Sequence, residues 1–147
     1  MATLYYYSIG GNDLNDASLW WNDLNHTSPA GRIPTSSDNV VILSDVTNTA
    51  TSPTYNSIQV KSAIFGNSNG GNTLTIATSA VFYGLCINYF SITVLTTYFN
   101  GYSINRGTIN GNVIFNDCSY NGSGGKYTTA TFNSINNKTI GNASLVL

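Results

Sequence analysis

One recurring stretch decides the fold, and it ends five times on phenylalanine: Ala63-Ile64-Phe65, Ala80-Val81-Phe82, Thr97-Tyr98-Phe99, Val113-Ile114-Phe115 and Ala130-Thr131-Phe132. The phenylalanines follow one another at a nearly constant interval, from position 65 to positions 82, 99, 115 and 132. Self-similarity at a fixed period is the signature of a repeat architecture, in which each unit stacks on the next. The whole stretch from Ile58 to Leu145 is therefore expected to form a stack of similar turns.

A second apolar column precedes the phenylalanines by a few positions and starts one turn earlier: Ile42, Ile58, Ile76, Ile92, Ile109, Tyr127 and Ile140. The unit is too short for a pair of helices, and apolar and polar residues alternate between Asn/Gly breaks, which is typical of short strands. The sequence predicts an all-β fold, a short single-stranded parallel β-solenoid with ~17-residue coils. Both columns become inward ladders, with Leu145 at the last phenylalanine position.

Asparagines recur at two places in each turn. One set directly follows a phenylalanine (Asn100, Asn116, Asn133), and the other lies further along the turn (Asn88, Asn105, Asn121). Because stacked strands lie roughly 4.7–4.9 Å apart, amides at one position are predicted to hydrogen-bond from coil to coil. The alternative is a β-sandwich whose hairpins are evenly spaced, but two columns in register favour the solenoid.

Composition sets limits on the partners. Asn, Ser and Thr supply 21, 17 and 18 of 147 residues, 7% of residues are charged, and the net charge is −1. With 41% apolar residues the chain can bury a core, unlike a disordered chain of low hydrophobicity and high charge. The near-neutral balance predicts neither nucleic acid nor a membrane as partner.

Residues 1–7 lack the basic and apolar regions of a secretory signal, so synthesis in a cytoplasm is expected. Cys86 and Cys118 lie at different repeat positions and two coils apart, about 9–10 Å along the stack. That separation exceeds what a disulfide spans without backbone movement. Both are expected to be free thiols.

Residues 1–45 differ from the rest, since they hold both tryptophans, the only histidine and five of the six aspartates. We predict an N-terminal cap and entry strand over residues 1–45 and solenoid coils over residues 46–147, within one structural domain. Within the cap, a strand from Leu4, a helical turn with Asp16 as N-cap and an entry strand from Asn39 are expected.

The cap residues carry a resemblance. The order Tyr-Tyr, Gly-Gly-Asn, Trp-x-Asp, then Pro-x-x-x-Asp-x-Val-x-Ile over residues 34–42 resembles the opening of many β-solenoid surface proteins, both bacterial secreted proteins and phage structural proteins. Residues 100–115 are similar to repeats of phage and virus fibre or decoration proteins. The resemblance implies that an aromatic turn and the entry strand cap the first coil. The cap residues that it implies are Trp20, Trp21, Pro34 and Asp38.

Catalytic patterns are scarce. Asp117 is the only carboxylate of the repeat region, and it occupies a turn position held elsewhere by Gly84 and Gly101. A glycosidase needs two carboxylates on one face. Asp13, Asp16 and Asp23 fit no calcium loop, so turn or capping roles are favoured, and His26 is expected in a loop. Asp38, just before the entry strand, is expected to bond backbone N–H groups. We predict no enzyme activity, no metal and no cofactor.

Together these observations predict a structural virion component: a fibre, tail or capsid-decoration protein, located in the virion. The expected partners are other virion proteins and further copies of the chain, preferably as a trimer, since fibres of the class it resembles are commonly trimeric. The chain ends on apolar residues without a cap, so assembly is expected through Leu145, Val146 and Leu147.

Three alternatives remain. A cell-surface or extracellular adhesin module with a glycan receptor would gather exposed aromatics on one face: Tyr83, Tyr98, Tyr102 and Tyr120. A polysaccharide-degrading tailspike fragment would need the missing carboxylates. An ice-binding face would need Thr-x-Thr pairs such as Thr73/Thr75 in register on every coil, but the later pairs Ser91/Thr93 and Thr129/Thr131 are expected in different columns.

Overall fold

A computed structural model describes residues 1–9, 13–47, 52–68 and 72–133, with the backbone of residues 144–145. It confirms the predicted fold class: the chain is a parallel β-solenoid of about five turns, with coils of ~18 residues and an aromatic cluster near the N-terminus. The strands are β1 (Thr3–Tyr6), β2 (Trp20–Trp21), β3 (Asn39–Ile42), β4 (Thr54–Tyr55), β5 (Ser57–Lys61), β6 (Ile64–Phe65), β7 (Thr73–Tyr83), β8 (Ile87–Asn88), β9 (Ser91–Phe99), β10 (Ile104–Asn105), β11 (Thr108–Phe115), β12 (Tyr120–Asn121), β13 (Lys126–Phe132) and β14 (Ser144–Leu145). Within this part of the chain, no helix is long and apolar enough to cross a membrane.

Two sheets wrap around one core. The large sheet runs in the order β14-β13-β11-β9-β7-β5-β3-β1-β2, with β4 beside β7, and the small sheet runs β12-β10-β8-β6. The paired strands are parallel except β1 and β2, which are antiparallel. Strands of the cap and of the coils therefore share one sheet. In the small sheet each strand has two residues, of which the second is buried.

Four phenylalanines form the predicted ladder. Phe82, Phe99, Phe115 and Phe132 pair in register across β7, β9, β11 and β13. Neighbouring rings stack almost parallel, with centroids 4.6, 5.2 and 5.0 Å apart. The first three side chains are 0% exposed, but Phe132 is 39% exposed. Phe132 was predicted as a core residue, but it is only partly buried. Among the described residues it has a ladder neighbour, Phe115, on one face of its ring and none on the other.

Phe65 does not belong to this ladder, so that prediction is wrong. It lies in β6 of the small sheet, where its register partner is Asn88, although its side chain is 0% exposed. The segment 66–72 lengthens this turn, so that Ile58 pairs with Ala80 rather than with Ile76. The regular interval between Phe65 and Phe82 is therefore a coincidence.

The prediction of one isoleucine column is also wrong. Ile92, Ile109 and Tyr127 do share a ladder, but its other members are Leu74 and Leu145. Three of the remaining four predicted members pair in other columns: Ile42 with Val60, Ile58 with Ala80, and Ile76 with Val94. The fourth, Ile140, lies outside the described residues. The other five isoleucines are nevertheless at most 2% exposed. Alternation with period two fixes which face a residue points to, whereas the column also depends on coil length.

Both predicted asparagine ladders are confirmed. Inside the solenoid, Asn88 Nδ2 donates to Asn105 Oδ1 at 3.0 Å, and Asn105 Nδ2 donates to Asn121 Oδ1 at 2.7 Å. All three side chains are 0% exposed. At the rim, Asn133 donates to Asn116 and Asn116 donates to Asn100, at 2.7 and 2.8 Å. We call the buried set Asn88, Asn105 and Asn121 the inner amide ladder.

The turn after each phenylalanine also repeats. Gly84 and Gly101 have φ of 73° and 71°, and Asp117 has φ of 54° at the same position. Left-handed backbone is inexpensive for glycine and tolerated by aspartate, which confirms the turn role predicted for Asp117. Cys86 follows this turn, and its thiol donates to the Tyr83 carbonyl oxygen at 2.9 Å. Both cysteines are free thiols, as predicted: Cys86 is buried and Cys118 is half-exposed.

Replacing Phe99 by alanine tests the core ladder. Phe99 lies between two stacked rings with no exposure, so Phe99→Ala should lower the free energy of unfolding by about 3–5 kcal/mol. Phe132→Ala is the matched control and should cost clearly less, because that ring is 39% exposed. Denaturant unfolding measures both. Equal losses would contradict the stacking order.

Replacing Asn105 by alanine tests the inner amide ladder. The change would leave the Asn88 donor and the Asn121 acceptor buried without their partner, at a cost of at least about 2 kcal/mol. Asn116→Ala removes the middle asparagine of the half-exposed rim ladder. Because water replaces the lost hydrogen bonds there, the free energy of unfolding should fall by about 1 kcal/mol or less. Similar unfolding midpoints for the two variants would argue against a buried ladder.

Candidate functional surfaces

Aromatic side chains close the N-terminal end of the solenoid. Trp20 is 0% exposed, and its indole N–H donates to the Leu14 carbonyl oxygen at 3.0 Å. Its ring meets Tyr6 and Tyr55 edge-on, at centroid distances of 5.3 and 6.2 Å. Trp21, on the same edge strand β2, is half-buried. An edge strand that is covered and antiparallel limits pairing with other chains, which is what the predicted cap role requires.

His26 lies in a turn with φ of 58°, as predicted. Its ring stacks on Tyr7 at 4.0 Å and meets Trp21 edge-on at 5.7 Å. Aspartates hold the surrounding turns: Asp16 caps the helical turn at Ser18, and Asp23 accepts backbone N–H bonds from Asn25, Thr27 and Ser28. Within the described part of the chain, no three His, Cys or Asp side chains could share a metal ion.

Asp38 ties the loop before the entry strand to the N-terminus. Arg32 Nη1 and Nη2 donate to its two oxygens at 2.7 and 3.2 Å. Its oxygens also accept the backbone N–H groups of Thr35 at 2.9 Å and Ala2 at 3.3 Å. The backbone hydrogen bonds of Asp38 were predicted. Its ion pair with Arg32 was not, because the Gly-Arg-Ile-Pro stretch around Arg32 gives no clear signal of a partner at position 38. Hydrogen bonds from Arg32 hold the pKa of the Asp38 carboxyl well below its ordinary value. Pro34, in the same loop, is buried.

The outer face of the small sheet carries apolar side chains in successive coils. Ile64, Ile87, Ile104 and Tyr120 pair in register across β6, β8, β10 and β12. Each occupies the first, outward position of its two-residue strand; Ile64 is 42% exposed and the others are half-exposed. We call these four residues the outer ladder.

Further exposed apolar residues border the outer ladder. Leu85 and Tyr102, on the turns that lead into β8 and β10, are 68% and 66% exposed, and Tyr83, the last residue of β7, is 41% exposed. The large sheet differs, because most of its outward columns are Thr, Ser and Asn, with one half-buried column of Val81, Tyr98 and Ile114. Hence the four predicted tyrosines do not share one face: Tyr83 and Tyr98 lie in β7 and β9 of the large sheet, Tyr102 lies in a turn, and Tyr120 lies in β12 of the small sheet.

The threonine pairs lie in register, contrary to the prediction. Thr73 pairs with Ser91 and Thr75 pairs with Thr93. The array is short, since the next coil places Asn110 against Thr93 and the one after places Lys126 against Thr108. On the other side, Thr54 pairs with Thr75 and the hydroxyls of Ser52 and Thr73 lie 2.7 Å apart, so these Ser/Thr-x-Thr pairs extend over three coils among the described residues. Thr129 and Thr131 pair with Asn112 and Ile114 and lie in another column, as predicted.

A groove lies at the corner that leads from the small sheet into the large one. Its volume is about 260 Å³, and it is lined by polar and aromatic residues of successive coils: Asn67, Ser68, Tyr89, Ser91, Arg106, Gly107, Thr108, Gly124 and Lys126. No aspartate is among them. Sequence reasoning did not find this groove, because its residues carry no common motif and come together only when the coils stack.

The predicted assembly residues are only partly described. Leu145 belongs to β14 and pairs with Tyr127 of β13, so its predicted place in the phenylalanine column is wrong. Val146 and Leu147 lie outside the described residues. Their role in assembly stays a prediction.

Comparisons with known proteins give no relative. No protein-family model, no curated protein and no solved structure matches this chain. Function is therefore argued from the surfaces of the solenoid themselves.

The Arg32–Asp38 pair predicts a pH-dependent stability. The lowered pKa of Asp38 means that its contribution is present above its ordinary pKa of 3.8 and is lost as pH falls through the lower folded value. Asp38→Asn should cost about 1.5–3 kcal/mol at neutral pH, since it removes charged hydrogen bonds. It should also flatten the loss of stability that the unaltered protein shows below about pH 4.

Urea unfolding at a series of pH values measures this effect. Asp45→Asn is the control, because it removes the same charge from an exposed position that contacts only the Ile64 backbone N–H in the described bonds. If Asp38→Asn and the unaltered protein lose stability in parallel on acidification, the charge of Asp38 does not tie this loop to the N-terminus.

Proposed function

We propose that this protein is a non-catalytic structural component that assembles with further copies of itself through its solenoid surfaces. Of the structures built in this way, we favour a fibre, tail or capsid-decoration component of a phage or virus. The resemblance of residues 34–42 and 100–115 to such proteins supports that choice. An adhesin module of a cell surface is the second candidate.

The outer ladder carries the proposal. Three isoleucines in consecutive coils occupy outward positions, where the large sheet mostly has hydroxyl and amide side chains. Contiguous exposed apolar patches on soluble proteins commonly mark interaction surfaces. Leu85 and Tyr102, more than half exposed on the turns that lead into the same strands, extend this apolar surface.

A second copy of the chain is the occupant that fits best. The ladder repeats at the coil spacing, so two copies present side chains with the same spacing and can interdigitate along their length. The ladder itself carries no charge, and the chain has a net charge of −1, so repulsion between copies is small. We favour an assembly of three copies.

The C-terminal edge offers a second contact. Among the described residues, β14 pairs with Lys126 and Tyr127 of β13, and Phe132 at the other end of β13 is 39% exposed. Another copy or another protein of the assembly that covers this edge would extend the phenylalanine ladder. The proposed assembly thus has a lateral contact and an end contact.

Catalysis of the tailspike type has less support. It requires two carboxylates on one face, and Asp117 is engaged in a turn, where its Oδ2 accepts the Gly101 N–H at 3.2 Å. A glycan-binding role has a specific observation in its favour, the corner groove.

Sedimentation velocity at micromolar concentration tests the lateral contact. The unaltered protein is expected to sediment as an oligomer. Ile87→Asn with Ile104→Asn should weaken self-association at least about tenfold, because two buried apolar contacts per copy are lost. Leu95→Asn is the matched control: Leu95 is 69% exposed in β9 of the large sheet, and its loss should change nothing.

Deleting residues 145–147 tests the end contact in the same assay, and should weaken association more than it lowers β content by circular dichroism. An unaltered protein that stays monomeric would contradict the proposal. So would equal dissociation by the Leu95 variant and the double variant.

A further inference from the structure

We propose that the corner groove is a binding site for an acidic saccharide, with the carboxylate or sulfate of the sugar held between Arg106 and Lys126. This goes beyond the proposed structural function and rests on separate residues. The groove is defined by the nine residues named above and has a volume of about 260 Å³. That is near the lower end of small-molecule sites, roughly 300–1,000 Å³, and suits one or two sugar rings.

Charge is concentrated in the groove. The whole chain has five Lys and Arg residues, and two of them line this one site. The only salt bridge of the described residues joins Arg32 to Asp38, so no described carboxylate pairs with Arg106 or Lys126. Both side chains are exposed at the groove. Two cations without a paired acid favour an anionic ligand.

Successive coils bring these groups together. The Tyr89 N–H donates to Phe65 and the Arg106 N–H donates to Asn88, so Tyr89 and Arg106 occupy the same position of neighbouring coils. Arg106 Nη1 donates to Tyr89 Oη at 3.4 Å, which holds the guanidinium beside the phenol. Lys126 begins β13, opposite Thr108 of β11. The stacking period thus places an aromatic ring and two cations along one side.

The remaining lining matches a sugar rather than a bare ion. Ser68, Ser91 and Thr108 supply hydroxyls that donate and accept hydrogen bonds, and Asn67 supplies an amide. Tyr89 is half-exposed, so its ring offers an apolar surface with a polar tip. A sugar has many hydroxyls and one apolar face, and an acidic sugar adds the anion that two cations require.

The groove floor is rigid because the inner amide ladder lies beneath it. Asn105 Nδ2 donates to the Gly107 carbonyl oxygen at 3.2 Å, and Asn88 Nδ2 donates to the Phe90 carbonyl oxygen at 3.1 Å. The Gly107 carbonyl oxygen also accepts the Lys126 N–H at 2.9 Å. A side chain at position 107 would overlap the Phe90 carbonyl oxygen, so glycine lets the coils close here. Preorganised sites lose less free energy on ordering when they bind.

The test is a titration of the ¹⁵N-labelled protein with oligogalacturonate, followed by amide chemical shifts. A sulfated oligosaccharide tests the other acidic sugar, and a neutral maltooligosaccharide and inorganic sulfate are the comparison probes. We expect shifts at Tyr89, Gly107, Thr108 and Lys126 with the uronate or with the sulfated sugar. The neutral sugar and the inorganic ion should bind at least about tenfold more weakly.

Variants then test the residues. Arg106→Gln or Lys126→Gln should each weaken binding about tenfold, since each removes a charge-assisted contact with the anion. Arg106→Lys should retain part of the affinity. Lys61→Gln is the matched control: it removes an exposed cation outside the groove, and binding should be unchanged. Thermal unfolding checks that each variant is folded.

Other outcomes would overturn the proposal. Absence of shifts in the groove with both acidic sugars excludes the site. Equal binding of inorganic sulfate or of the neutral sugar shows that an acidic saccharide is not recognised. Tighter binding of a short single-stranded DNA, used as a further probe, would assign the groove to nucleic acid. The Ile87→Asn, Ile104→Asn double variant should still bind the acidic sugar, because the groove needs no second copy. Its binding therefore distinguishes this proposal from the assembly proposal.

Discussion

The register between neighbouring coils is the constraint on which this molecule depends. A single coil of the solenoid has no core of its own, so its apolar residues are buried only when the next coil stacks upon them. The inner amide ladder fixes that register, because Asn88 Nδ2 and Asn105 Nδ2 each bond the oxygen of the next asparagine, at 3.0 and 2.7 Å. A slip would leave buried amides without partners, which is more costly than a loss of apolar contact alone. The stacked rings of Phe82, Phe99 and Phe115 follow the same register.

Both candidate surfaces are consequences of this stacking. In the small sheet each strand has only two residues, so an inward asparagine or phenylalanine at the second position forces the first to point outward. Ile64, Ile87 and Ile104 become one column for that reason. The groove depends on the inner amide ladder more directly, since the amides of Asn88 and Asn105 hold the carbonyls of Phe90 and Gly107 at its floor. A polar network inside the core thereby sets the shape of a polar site outside it.

Part of this structure could be predicted from sequence, and the rest depends on coil length. Repetition at a nearly fixed period and identical asparagines at one position suffice to predict a parallel stack with amide ladders. They do not suffice to place Phe65 or Ile42, because period-two alternation fixes the face of a residue but not its column. One coil is longer than the others between β6 and β7, so that Ile58 pairs with Ala80. Phe65 and Phe82 nevertheless keep the repeat interval by chance, so the longer coil is not visible in the sequence.

The candidate sites were less predictable than the fold. Asp38 could be recognised as a backbone-binding residue, whereas its partner Arg32 has no positional signal. The groove could not be predicted, since Tyr89, Arg106 and Lys126 come together only after the three coils are stacked.

Hydrogen exchange of the asparagine side-chain amides would test the central claim most directly. In a ¹⁵N-labelled sample, NMR resolves the Nδ2 protons of Asn88 and Asn105 from those of the half-exposed Asn100 and Asn116. The structure predicts that Asn88 and Asn105 exchange only through large-scale unfolding, with protection like that of the core backbone amides of β9 and β11. Exchange of the Asn88 and Asn105 side chains as fast as that of Asn100 would contradict the account, because the coils would then not be held in register by a buried amide ladder.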